Sequence, residues 1–104
     1  MSFKQNIFLD QIKSSILKED ANAFLILYGS RARGDNKEDS DWDILILTSK
    51  IRNVKFENKI RDSIYEIELE HLQPVSAIIL DQKEWQSMKI TPFYHNVTTQ
   101  GKVI

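Results

Sequence analysis

The sequence predicts a small α/β domain (α+β in the sense of a mixed sheet). Three to five strands are expected, flanked by helices on one side. Three observations lead there. Two uncharged or nearly uncharged apolar runs, Ala23–Tyr28 and Trp42–Leu47, have the length of buried strands and end in turn-forming or polar residues. Helix-spaced isoleucines lie before and after them. The chain has 104 residues, 41% apolar and 28% charged, which is enough for one hydrophobic core and too little for two, so 1–104 reads as one domain.

Residues 3–20 carry Phe3, Ile7, Ile12, Ile16 and Leu17 at helical spacing, with Ser2 placed to cap the first turn. Ala23–Tyr28 then runs as a strand into Gly29. Residues 31–40 are polar and charged, a loop with room for one helical turn. Trp42–Leu47 is the second central strand, with Asp43 its one charged member. Lys50–Asn53 breaks the chain, and Ile60, Ile64 and Ile67 mark a helix of about four turns ending near His71. Val75–Leu80, after Pro74, is a third strand. Trp85 and Met88 belong to a short helix. Thr91-Pro92 has the form of an N-cap followed by proline at the first helical position, and Gly101 suits a helix end. Lys102–Ile104 is placed to pair as an edge strand. The chain shows no repeat, linker or low-complexity segment.

Charge and composition narrow the function. The formal net charge is −1, and no basic stripe is present, which argues against a nucleic-acid or membrane-surface binder. There is no cysteine, so disulfides, thiol catalysis and cysteine-ligated zinc are excluded. The first residues lack a secretion signal, and no apolar run approaches a membrane span, so a cytoplasmic protein is expected. His71 and His95 have no metal-ligand spacing between them.

The chemistry concentrates in LILYGSRARGDNKEDSDWDILIL. A buried strand ends directly in Gly29-Ser30, where glycine lets the backbone approach a ligand and Ser30 adds a hydroxyl donor. Arg31 and Arg33 bring two cations to the same region, and the four residues form a candidate triphosphate-binding group. Ten residues separate Ser30 from Asp41, which opens Asp41-Trp42-Asp43 at the start of the second strand. Residues two apart on a strand share a face, so the two carboxylates point one way and Trp42 the other, with Cα atoms roughly 6.6 Å apart. Two hard oxygen donors at that spacing suit Mg²⁺ at about 2.1 Å, with a second cation about 4 Å away. Rival motifs fail on the letters. Gly29 and Gly34 have P-loop spacing, but Asp35-Asn36 stand where Lys-Ser/Thr is required. Asp39, Asp41 and Asp43 imitate an EF-hand, but Ile44 replaces the glycine and Lys50 the final glutamate. Arg33-Gly34-Asp35 and Asn96-Val97-Thr98 are adhesion and glycosylation triplets without a secretion signal.

Strand, Gly29-Ser30, ten residues, Asp41-x-Asp43, strand: this pattern resembles the DNA polymerase beta-like nucleotidyltransferase superfamily. The spacing is similar to that of its minimal nucleotidyltransferase branch, the MntA-like antitoxins. The motif covers residues 24–47, and the α/β order extends it loosely to about residue 80. The resemblance implies a Mg²⁺-dependent, two-metal site at Asp41 and Asp43. It further implies ATP as substrate and transfer of AMP to a hydroxyl. In that branch some members modify a tyrosine of a helical HEPN toxin partner, so a HEPN-type partner or a homo-oligomer is expected. The family places a third carboxylate on the next strand, where it completes the metal site and can act as general base. The matching position here is Ser76 or a neighbour, and no acid lies within that strand. Glu70, just before it, is the nearest substitute and completes the expected catalytic set; Asp81 lies too far along. The alternative reading is a catalytically degenerate module of the same fold that binds a helical partner, with Phe93 and Tyr94 either in that contact or in the core.

Overall fold

The computed structural model describes all residues from Met1 to Ile104. Helix α1 (Phe3–Glu19) begins with a reciprocal cap: the Gln5 N–H donates to Ser2 Oγ at 3.2 Å, and the Ser2 N–H donates to Gln5 Oε1 at 3.0 Å. Its buried face is Phe8, Leu9, Ile12 and Ile16. Phe3 and Ile7, expected inside, are solvent-exposed, because they lie off the inward stripe that runs through Phe8, Leu9, Ile12 and Ile16. Strand β1 (Phe24–Tyr28) leads into a single-turn helix α2 (Gly29–Arg33), and a polar loop carries the chain to β2 (Trp42–Thr48). Helix α3 (Val54–His71), capped by the Asn53 side chain, returns the chain to β3 (Val75–Asp81). Two short helices follow, α4 (Gln82–Ser87) and α5 (Pro92–Gln100), the latter capped by Thr91. The two-residue strand β4 (Lys102–Val103) closes the order.

The sheet runs β3-β2-β1-β4, with β2 antiparallel to β1 and parallel to β3, and β4 antiparallel to β1. It is therefore a mixed, four-stranded sheet, within the expected range. The helices, expected on one side, cover both faces. Leu25, Leu27, Trp42, Ile44, Ile46 and Ile79 pack with α1 and α3 in the larger core. Leu45 and Leu47 point the other way and pack with Trp85 and Val97 of α4 and α5, supported by Tyr28, Phe93 and Tyr94. The central strands are apolar on both faces, and such strands need cover on both sides.

Gly101 ends α5 for a steric reason rather than a dihedral one. Its φ is −70°, open to any residue, but a Cβ there would run into the Val97 carbonyl and come 2.7 Å from Ile26 Cγ2. The outer edge of β3 is guarded by side chains. Arg61 donates to the Ala77 carbonyl at 3.3 Å, Arg52 to the Ile79 carbonyl at 2.7 Å, and the Val75 N–H is accepted by Glu68 at 3.3 Å. Arg52 also pairs with Glu57 and Glu84, tying α3, β3 and α4 together.

At the end of α1, the buried Asp20 carboxylate accepts from Thr48 Oγ1 at 2.9 Å, Ser49 N–H at 2.7 Å, Ser49 Oγ at 2.6 Å and Asn22 N–H at 3.1 Å. Burial alone would push its pKa up, but these hydrogen bonds outweigh burial and hold it below the ordinary 3.8. A depressed carboxyl stabilises the fold at pH values above its unfolded pKa, and that contribution is lost as pH falls through the lower folded value. Asp20→Ala is therefore expected to cost about 2–3 kcal/mol at neutral pH and to lower Tm by roughly 10 °C. The difference from wild type should shrink in acid; thermal melts followed by circular dichroism across pH 2–7 check it.

Candidate active site

The site forms where β1 ends and β2 begins. In the antiparallel register Tyr28 lies opposite Asp43, so the turn after β1 passes directly over the Asp43 side chain. The next residue must bring its backbone against that carboxylate, and only glycine can. A Cβ on Gly29 would collide with Asp43 Oδ2 and lie 3.1 Å from its Cγ; Gly29 also has φ +71°. This contact joins the glycine-serine turn to the acidic pair. Gly29 opens α2, Ser30 is its second residue and half-exposed, and the cap position, Tyr28, makes no side-chain hydrogen bond to the first turn. Gly34, at φ +88°, ends the turn, with its N–H and that of Asp35 donating to the Ser30 carbonyl at 2.8 and 3.2 Å.

Asp41 is exposed and Asp43 half-buried. Alternation along β2 sends Trp42 into the α1/α3 core and turns Asp43 to the other face, as expected. Burial, and then the negative charge of Asp41, raise the Asp43 pKa above 3.8, with Arg33 acting in the opposite sense. Tyr28 feels Asp43 as well: burial first and the Asp43 charge second push its hydroxyl above 10.0. The mutual effects put Asp41, Asp43 and Arg33 in one electrostatic cluster. Arg33 is partly exposed and pairs with Asp35 at 3.2 Å.

Two expected site residues lie elsewhere. Arg31 is buried, stacks over the Trp42 ring at 4.2 Å, and donates to the carbonyls of Ser40 and Glu38. Its guanidinium is taken up beneath the sheet and does not reach out as a phosphate clamp. Glu70 is on the exposed side of α3, and α3 covers the Trp42 face of the sheet, opposite to Asp43. It does not join the carboxylate pair. The parallel register sets Ser76 directly beside Asp43, so the third position is a serine. No three His, Asp or Glu side chains are grouped so that they could hold a metal ion between them. Two carboxylates with one raised pKa are a donor set short of positive charge, and they fit one hard divalent cation completed by water and phosphate oxygens. Phe93 and Tyr94, left open between partner contact and core, pack inward: Phe93 lies edge-on to Tyr28 at 5.4 Å and Tyr94 over Trp85 at 4.4 Å. Tyr28 escaped the sequence reading as a neighbour of the carboxylates, although its place one residue before Gly29 carries the signal.

A mixed sheet with a glycine-serine turn over a paired-aspartate strand defines a nucleotidyltransferase-type domain. The chain belongs to the polymerase beta nucleotidyltransferase family, whose model ("Polymerase beta, Nucleotidyltransferase") matches residues 10–104. Two relatives come from Methanocaldococcus jannaschii. "Putative protein adenylyltransferase MJ0604" is 34% identical over 77% of this chain and 75% of its own length. "Putative protein adenylyltransferase MJ0141" is 47% identical over 45% of this chain; that match spans about half (46%) of the relative. Among solved structures, a chain of a mutant toxin–antitoxin MntA–HpeT has the same fold, with TM-score 0.55 and 17% identity over 94% of this chain and 69% of that one.

Gly29→Ala should cost about 1–2 kcal/mol from the dihedral alone and displace the Asp43 carboxylate, visible as a changed Asp43 resonance and a lower Tm. By carboxyl-carbon NMR titration, Asp43 should titrate above 3.8, and Asp41→Asn should bring it down by removing the neighbouring charge.

Proposed function

We propose that this chain is a Mg²⁺-dependent adenylyltransferase, moving AMP from ATP to a hydroxyl on a protein acceptor. The observation that carries the reading is the contact of Gly29 with the Asp43 carboxylate, which joins the glycine-serine turn to the acidic pair. The two relatives named as protein adenylyltransferases support the nucleotide and the acceptor class. Asp41 and Asp43 would hold the cation, which when bound supplies positive charge to offset the triphosphate. Gly29 sets the turn against Asp43, Ser30 donates a hydrogen bond to the phosphate chain, and Arg33 lends positive charge from the rim. The acceptor oxygen bonds to the α-phosphorus, the bond from that phosphorus to the bridging oxygen breaks, and pyrophosphate leaves. With Ser76 where an acid would stand, the hydroxyl proton passes to water or to a group brought by the acceptor. Catalysis then rests on positioning and charge neutralisation.

For the acceptor, the reading is a tyrosine on a helical toxin partner of HEPN type. The fold shared with a chain of the toxin–antitoxin MntA–HpeT supports a protein partner. A second reading has its own observation. Ser76 beside Asp43 leaves the pair without a base, which favours a module that keeps nucleotide binding and acts by holding its partner.

Isothermal calorimetry should detect Mg²⁺-dependent ATP binding by wild type that is lost in the Asp41→Asn/Asp43→Asn double variant of unchanged circular dichroism. Wild type that fails to bind ATP with Mg²⁺ would sink both nucleotide-based readings. Binding without label transfer from [α-³²P]ATP to a co-expressed partner would leave the second.

A further inference from the structure

Arg31 is an unusual buried cation. It is 7% exposed, yet it forms no ion pair. Its partners are backbone carbonyls and an aromatic face: Nε and Nη2 donate to the Ser40 carbonyl at 3.1 and 2.9 Å, and Nη2 also to the Glu38 carbonyl at 3.0 Å. The guanidinium plane sits 4.2 Å from the centre of the Trp42 ring. Such a group is costly to bury unless hydrogen bonds take the place of the lost water, and here those bonds go to the loop that leads into Asp41. The Ser40 carbonyl belongs to the peptide unit that links to Asp41. On the other side of Asp41, the Trp42 N–H donates to the Pro74 carbonyl at 2.9 Å, and Trp42 Nε1 to Gln73 Oε1 at 2.9 Å. Asp41 is thus exposed as a side chain while the backbone on each side of it is tied down.

We propose that Arg31 is a positioning residue for the carboxylate pair: from beneath the sheet it fixes the Ser40–Asp41 peptide, and so the placement of Asp41 beside Asp43. The inference rests on the nucleotidyltransferase reading above and deepens it. Arginine is required because the work is done by a planar fork, with one edge shared between two carbonyls and one face on an indole. A lysine offers a point charge and neither feature. The turn Lys37–Ser40 is closed on itself by Lys37 N–H to Ser40 Oγ at 2.8 Å and Ser40 N–H to the Lys37 carbonyl at 3.2 Å. Arg31 holds that turn as one unit against β2. A cavity of about 300 Å³ beside the guanidinium, lined by Lys4, Phe8, Trp42, His71 and Gln73 among others, gives small cations a way in.

The test uses Arg31→Lys and Arg31→Ala. Amide exchange should quicken over residues 36–41 in both and stay unchanged over Ile44–Leu47 of β2. The Kd for ATP in the presence of Mg²⁺ should rise about tenfold, equivalent to about 1.4 kcal/mol. Added guanidinium, but not ammonium, should restore much of the affinity of Arg31→Ala. Unchanged exchange and unchanged affinity in a folded variant would overturn the proposal. So would loss of β2 protection in Arg31→Lys, which would make Arg31 a residue of the fold as a whole. Wild type that binds no ATP fails the nucleotidyltransferase reading first; wild type that binds while both variants bind equally well fails this inference alone.

Discussion

The two-residue period of β2 is the constraint on which the rest depends. Its first residue inside the sheet, Trp42, is driven into the larger core by its apolar area, with Phe8 at 5.3 Å and Arg31 stacked upon it. Alternation then turns Asp43 to the opposite face, beside the β1 turn. A slip of one residue would bury Asp43 among isoleucines and expose Trp42, which no core of this size could tolerate. Packing energy on one face of the strand thus fixes electrostatics on the other.

That coupling explains why the site can keep two acidic groups close together. Asp43 is raised in pKa by burial and by Asp41, a cost that the strand pairings to β1 and β3 impose. Asp20, at the far end of β2, shows the opposite solution: a carboxylate buried more deeply but surrounded by four donors, and lowered. A satisfied acid from the end of α1 thus meets one end of β2, and an unsatisfied pair stands at the other. The satisfied end behaves as structure, and the unsatisfied end behaves as a binding site.

Most of the fold was legible in the residues. The strand at Trp42, the caps at Ser2 and Thr91, the end of α3 near His71 and the pairing of Lys102–Val103 all follow from local pattern. The two short helices after β3 are legible too, but their place on the second face is not, because a helix's local pattern does not say which face of a sheet it covers; only the apolar Leu45 and Leu47 hinted that cover was needed. Within the site, the serine at position 76 is legible in the sequence, whereas the Gly29–Asp43 contact is not, since it depends on the register that sets Tyr28 opposite Asp43. Arg31 and Glu70 were placed wrongly because sequence proximity says nothing about which sheet face a residue reaches. Arg31 leaves α2 toward the core, and α3 crosses the sheet on the side away from the carboxylates. The turn at Leu72, with φ 53° where glycine would be expected, also has no local signal; it is what delivers Gln73 and Pro74 to Trp42.

The side chains along the outer edge of β3 bear on how this domain can associate. An open strand edge invites another chain to extend the sheet by main-chain pairing. Here the outward Ala77 and Ile79 carbonyls and the Val75 N–H already have partners in Arg61, Arg52 and Glu68. An incoming strand would have to displace charged groups from these three positions before it could pair there. Recognition on this flank must therefore read side-chain shape and charge, and runaway stacking of copies through β3 is disfavoured from the start.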